Sequence, residues 1–256
     1  MSSANETSTP ARSEASIWQE VEFGSYAADL PVWIELAEAA GEPVLELGAG
    51  AGRVALHLAG HGHDVLALER DPDLAAELRG AAERLRTPLT VVTGDLSAPE
   101  SIRLPAKPAL AVGPLHVIQE LDGASRPAFL ARLRHLLAPG GTVGLTVVDE
   151  STLLSAGAAS TQILPDIREL DGWVYSSEPL WVQVGDAALT VRRLRERVDP
   201  SGGIERGIHD EVLHRVSPER LRLEAEEAGF SFAGTRQISS GPNEADSTVV
   251  LLEVPR

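Results

Sequence analysis

The segment VLELGAGAGR, Val44 to Arg53, sets an acid, Glu46, at the mouth of an apolar strand and follows it with glycines at 48, 50 and 52. No Cβ intervenes at those glycines, so the backbone can turn sharply and approach a ligand closely. A helix from Arg53 to Gly60 points free N–H groups at the same place. A second apolar strand, Val65 to Leu68, ends in Glu69, 21 residues after Gly48. That is the spacing at which a parallel nucleotide-binding sheet places a carboxylate to grip ribose hydroxyls. An acid at the strand mouth is attractive to a ligand that carries positive charge.

The glycine spacing separates two kinds of nucleotide ligand. A dinucleotide fingerprint needs glycine at the third position of GxGxxG, and counting from Gly48 that position is Arg53. Its bulk argues against close helix–strand packing around a pyrophosphate. The pattern is instead acid-x-Gly-x-Gly-x-Gly.

These residues need a scaffold, and the chain is long enough to build one. Its 256 residues suffice for one sizeable α/β domain. No apolar run approaches the ~18 residues of a membrane span. The first 15 residues lack an apolar core and read as a polar, disordered leader, not a secretory signal. With no cysteine, disulfides and cysteine-ligated zinc are excluded, which fits a cytoplasmic protein. The formal net charge of −16, from 22 basic and 38 acidic side chains, disfavours phosphate backbones as partners. The sequence therefore points to a small-molecule partner, with no nucleic acid and no membrane, and leaves a homodimer open.

Short apolar strands alternate with helices. Expected strands are Val44–Leu47, Val65–Leu68, Leu89–Val92, Leu110–Val112 and Thr142–Val148. Expected helices include Arg53–Ala59, Arg126–Leu137 and one from Pro72 to about Leu85, capped by Asp71. This order predicts an α/β, doubly wound, mostly parallel sheet of seven strands, whose ligands bind at the carboxyl ends of the strands. Glu46, Glu69, Asp95, Gly113 and Asp149 all fall near such ends. Helical segments in 16–40 precede the first strand as a lid. An inserted antiparallel layer of three strands, Trp173–Val184, Leu189–Val198 and Gly207–Val216, occupies about 165–216. A Ser217-capped helix and two closing strands, Phe230–Ile238 and Thr248–Val254, complete a single domain over 16–256.

The ordered set resembles the class I S-adenosylmethionine-dependent methyltransferases, of the small-molecule type, with their Rossmann-like sheet. VLELGAGAGR resembles their first motif, VLALERD (Val65 to Asp71) the second and VVTGDL (Val91 to Leu96) the third. LAVGPLHVIQEL, Leu110 to Leu121, sits where the fourth belongs. LRHLLAPGGTVGLTV, Leu133 to Val147, is similar to the family's helix, Pro-Gly-Gly turn and fifth strand. The resemblance implies S-adenosylmethionine as cofactor and S-adenosylhomocysteine as product. Glu46 would help hold the methionine ammonium. Gly48, Ala49, Gly50 and the helix behind them would face its carboxylate. Glu69 would accept both ribose hydroxyls, Asp95 the adenine amino group with the Leu96 N–H nearby, and the Gly113 carbonyl would lie near the amino group. Arg70 would cover an adenine face. No metal is implied.

Methyl transfer needs an aligned nucleophile, excluded water and, for an alcohol or phenol, a base. The fourth motif lacks an NPPY-like sequence, unlike enzymes that methylate nucleobase and protein amide nitrogens. His116, three residues after Gly113, is the candidate base, and Tyr26 the candidate contact to the substrate or sulfonium. Trp173, Tyr175, Trp181, His209 and His214 are candidates to line an acceptor pocket. The expected activity is methyl transfer to an N, O or C nucleophile of a small molecule, in secondary metabolism. The alternative reading keeps the cofactor site for a non-methylating role, pericyclase-like or regulatory.

Overall fold

Strands β1 (Val44–Leu47), β2 (Val65–Glu69) and β4 (Leu110–Gly113) are buried along their whole length, which requires cover on both faces. The computed structural model describes residues 12–148, 164–239 and 246–256. With β3 (Leu89–Thr93) and β5 (Thr142–Val147), these strands run parallel. A closing pair, β10 (Ser231–Ile238) and β11 (Ser247–Glu253), joins antiparallel through β11 onto β5. The sheet order is β10-β11-β5-β4-β1-β2-β3. Strand β1 thus has β2 on one side and β4 on the other, and the winding reverses there. Ligands of open parallel sheets bind at that switch.

Period-two alternation sorts β1 between two cores. Leu45 and Leu47 join Phe129, Leu130 and Leu133 of α5 (Ser125–Leu136) and Leu221 of α6 (Pro218–Glu227) on one face. Val44 joins Trp33 of α2 (Leu30–Ala40), Val54 and Leu58 of α3 (Arg53–Gly60) and Leu78 of α4 (Pro72–Leu85) on the other. By the same alternation Glu46 lies on the α2–α3 face. The expected caps form: Asp71 Oδ1 accepts from the N–H groups of Asp73 and Leu74 at 2.8 and 3.2 Å, and Ser217 Oγ accepts from Arg220 N–H at 3.1 Å.

The expected lid is two helices, α1 (Glu14–Phe23) and α2. The antiparallel layer has a fourth strand. Beyond β7 (Trp173–Val184), β8 (Ala188–Val198) and β9 (Ile204–His214), it gains β6 (Asp166–Leu170), in order β6-β7-β8-β9. The link from β6 to β7 is Asp171-Gly172, both with positive φ. An Asp-Gly pair between extended segments marks a two-residue hairpin, and that signal was present in the sequence. Asp149 lies outside the described residues, as does most of the expected leader. Among the described residues no helix is long and apolar enough to cross a membrane.

Candidate functional site

The turn after β1 is held by the acid at the end of β2. Gly48 and Gly50 take φ of 64° and 55°, a region that suits glycine. A Cβ on Gly48 would strike Val117 Cγ2 at 2.6 Å. Glu69, 6% exposed, accepts the Gly50 N–H at 2.7 Å through one oxygen and the Asp71 N–H at 2.8 Å through the other. An ionised carboxylate has about four acceptor sites, so Glu69 can still accept from the cavity of about 560 Å³ that it lines.

Glu46 lines a second cavity, of about 470 Å³, with Tyr26, Gly48, Gly50 and Arg53. It is 2% exposed, and its Oε2 has no hydrogen-bond partner. Burial pushes its carboxyl up to about 8, against the opposing pull of the Arg53 charge and the Ala55 backbone. The Arg53 guanidinium, the largest of those opposing influences, is itself shared with other acceptors. It donates to both oxygens of buried Asp29 at 2.7 Å and to the Tyr26 carbonyl at 3.0 Å. It also lies 5.2 Å over the Tyr26 ring. Trp33 Nε1 completes the Asp29 shell at 2.9 Å. An unpartnered carboxylate oxygen in a polar cavity suits an ammonium group.

The adenine-side candidates gather along the first cavity, where Arg70, Asp95 and Leu96 are lining residues. Asp95 accepts from Ser97 N–H and Oγ, both at 2.8 Å. Those bonds, the backbone one foremost, hold its carboxyl below the usual range. Exposed Arg70 lies 3.3 Å from Glu120 Oε2.

Gly113 and His116 both engage the Thr146 hydroxyl of β5. The Gly113 carbonyl accepts from Thr146 Oγ1 at 2.9 Å, and the same hydroxyl accepts the His116 N–H at 2.9 Å. Leu115 and His116 take φ of 47° and 62°, a left-handed turn, and His116 is not among the residues lining either of these two cavities. Burial pulls His116 down to about 4, and its Nε2 is unpartnered. Gln119 is structural, with its amide bridging the N–H and C=O of Val148 at 2.8 and 3.1 Å. Tyr26, by contrast, reaches the second cavity.

The roof is lined by Gln19, Glu22 and Glu211, which the sequence analysis passed over, and by His209 and His214, which it named as acceptor-pocket candidates. From α1, Gln19 reaches the glycine turn, where its Oε1 accepts the Ala51 N–H at 2.8 Å. Glu22 accepts from Arg195 Nε and Nη2, both at 2.8 Å, and from Ser177 Oγ at 2.6 Å. Those partners are 155 and 173 residues away, so no local spacing announces them. Trp18 packs edge-on against Tyr175 at 5.7 Å, which docks α1 on β7. From β9, His209, Glu211 and His214 line the first cavity. Trp181 instead lies beneath the Arg192 guanidinium, and neither residue lines either of these two cavities.

Residues 44–141 match the family model described as a methyltransferase domain. Among solved structures, the chain is similar to the glycopeptide N-methyltransferase MtfA complexed with S-adenosyl-L-methionine, at 25% identity and TM-score 0.62 over 91% of each chain. It is also similar to the sugar N-methyltransferase KedS8 from Streptoalloteichus sp ATCC 53650, at 16% identity and TM-score 0.71 over 98% of this chain and 97% of that one. A third is CalS10, an amino pentose methyltransferase from Micromonospora echinaspora involved in calicheamicin biosynthesis, at 18% identity and TM-score 0.62 over 88% and 89%. A curated relative, ribosomal RNA small subunit methyltransferase A of Anaeromyxobacter dehalogenans (strain 2CP-C), is 54% identical over 44 residues. That match spans 17% of this chain and 16% of the relative's length.

Proposed function

We propose that this chain, a class I S-adenosylmethionine-dependent methyltransferase, acts on an amine nitrogen of a small molecule. The observation that carries the acceptor class is the acid at the junction of the two cavities. Gln19, Phe23, Gly48, Val117, Glu120 and Glu211 line both. Burial pushes the Glu120 carboxyl up, and the Glu69 and Asp95 charges add to it against the pull of Arg70. Burial also raises Glu211, and the Glu22 and Glu120 charges reinforce it against Arg193 and Arg195. Such a junction attracts a cationic acceptor and repels a phosphate backbone.

When bound, S-adenosylmethionine supplies a methyl group activated on a sulfonium, with a thioether as leaving group. The chain's own residues do the rest. Glu46 holds the ammonium end, Glu69 the ribose hydroxyls, and Asp95, Leu96 and Arg70 bound the adenine side. Glu120 and Glu211 hold the acceptor's ammonium form, and Glu211 takes its proton to free the lone pair. A carboxylate of raised pKa is a better match for that proton than an ordinary one. Phe23 and Val117 keep water from the junction. The N-methylating sugar and glycopeptide relatives support the same attacked atom, and the calicheamicin relative supports a role in secondary metabolism.

Calorimetric titration with S-adenosylhomocysteine, with NAD as control, tests the cofactor site. Micromolar binding with silence for NAD is expected. At pH 7 Glu46, at about 8, is protonated in the free protein. An ammonium beside it favours the anion, so binding should release about one proton per site and tighten as pH rises towards 8. Equal heats in buffers of different ionisation enthalpy would count against Glu46 as the ammonium ligand. Labelled donor should then mark primary or secondary amines and not phenols; labelling of phenols alone would overturn the amine acceptor. In Glu211→Gln, kcat should fall about 10²-fold while S-adenosylhomocysteine affinity holds. The wild-type rate should rise with pH through an acid limb above the ordinary carboxylate range, and that limb should be altered in the variant.

A further inference from the structure

Four N–H groups of the glycine turn, at residues 49–52, are paired within the chain. Ala49 N–H donates to Leu68 O at 2.9 Å, Gly50 N–H to Glu69 at 2.7 Å, Ala51 N–H to Gln19 Oε1 at 2.8 Å, and Gly52 N–H to Ala49 O at 2.9 Å. Arg53, the nearest cation, is held by Asp29 and the Tyr26 carbonyl. The N–H groups of residues 49–52 therefore already have partners within the chain. A carboxylate entering the second cavity beside Glu46 would gain from a further donor on that side.

Gln19 is placed to be that donor. It lines both cavities. A Cβ on Gly50 would collide with its carboxamide, whose Nε2 and Cδ lie 2.8 and 2.9 Å from that point, so the amide sits directly over the turn. Its orientation is dictated: Ala51 N–H can only donate, so the oxygen faces the turn and the NH₂ group faces away. That NH₂ carries two donors. One helical turn further on, Glu22 anchors the same helix to Arg195 and Ser177, which holds the amide in place.

We infer that Gln19 is a cofactor-binding residue: its Nε2 donates to the amino-acid carboxylate of S-adenosylmethionine, so the helix over the site reads the end of the ligand opposite its adenine. The inference rests on the cofactor reading above. It assigns Glu46 to the ammonium and Gln19 to the carboxylate of one amino-acid group. It also makes Gly50 obligatory for a second reason, since any side chain there would displace the amide.

The test uses the full chain and two probes, S-adenosylhomocysteine and its decarboxylated form, which keeps the ammonium and lacks the carboxylate. Gln19→Ala should weaken S-adenosylhomocysteine by about tenfold to a hundredfold, the range for one hydrogen bond to a charged group. It should leave the decarboxylated probe unchanged. Gln19→Glu, which sets a like charge against the ligand, should weaken S-adenosylhomocysteine further and spare the decarboxylated probe. Gln19→Met keeps the length without donors and should match alanine, which assigns the weakening to the lost donor and not to a shortened side chain. Equal weakening of both probes would assign Gln19 to seating the helix alone, and unchanged or tighter S-adenosylhomocysteine binding would make it a plug; either overturns the inference. Wild-type protein that binds neither probe would instead sink the cofactor reading beneath it.

Discussion

Replacing Glu69 with alanine is expected to weaken S-adenosylhomocysteine binding by on the order of 2–4 kcal/mol, roughly thirtyfold to several hundredfold. Two losses combine. The side chain is buried and anchors Gly50 and Asp71 through separate oxygens, so its removal strands two backbone donors and frees the turn. The same carboxylate is proposed to accept the ribose hydroxyls, and those charge-assisted bonds disappear with it. Glu69→Gln separates the contributions: its oxygen can keep one N–H, while its NH₂ group faces the other donor. Calorimetry on both variants reads the effect. A loss below tenfold in Glu69→Ala would show that the ribose is held elsewhere.

The second large effect concerns stability. Arg126 and Glu224 tie α5 to α6 and are each 2% exposed. Arg126 donates to both Glu224 oxygens, at 2.6 and 3.2 Å, and to Leu121 O at 2.9 Å. Removing one partner of a buried pair leaves an uncompensated charge, at a cost of about 3–5 kcal/mol. Arg126→Ala should sit near the lower end, because Glu224 keeps Arg220 at 2.9 Å. Replacing both residues with leucine or methionine should cost less than the sum of the single changes. Urea midpoints of the four proteins measure this. The pH dependence has a definite sign. Burial raises the Glu224 carboxyl, and the bonds and charge of Arg126 and Arg220 outweigh it, so the group titrates below its ordinary value. The pair's contribution is present above the unfolded carboxylate pKa and is lost as pH falls through the folded one. The gap between wild type and Arg126→Ala should therefore close in acid.

Much of the proposed cofactor half was legible because it is local. Glu46, the three glycines and Glu69 lie within 24 residues, and strand period, turn chemistry and helix caps each act over a few positions. The Asp-Gly hairpin before β7 was equally local; its five-residue strand was missed because DIREL is short and charged. The setting of His116 was not legible in that way: it lies in a turn of two successive left-handed residues, and its N–H is held by the Thr146 hydroxyl of β5, 30 residues on.

What the sequence determined by itself was the parallel sheet, its binding edge and the acids on that edge. These follow from alternation and spacing, which a single segment carries. What only the tertiary structure decided was which donors and acceptors remain available at that edge. The amides of residues 49–52 pair with Leu68, Glu69, Gln19 and Ala49, Arg53 pairs with Asp29, and the Gly113 carbonyl accepts from Thr146. The acceptor side exists only where α1 and β9 close over β1 and β4. Hydrogen-bond capacity is a property of the packed neighbourhood: a donor that looks free along the chain is free only if nothing distant in sequence reaches it first.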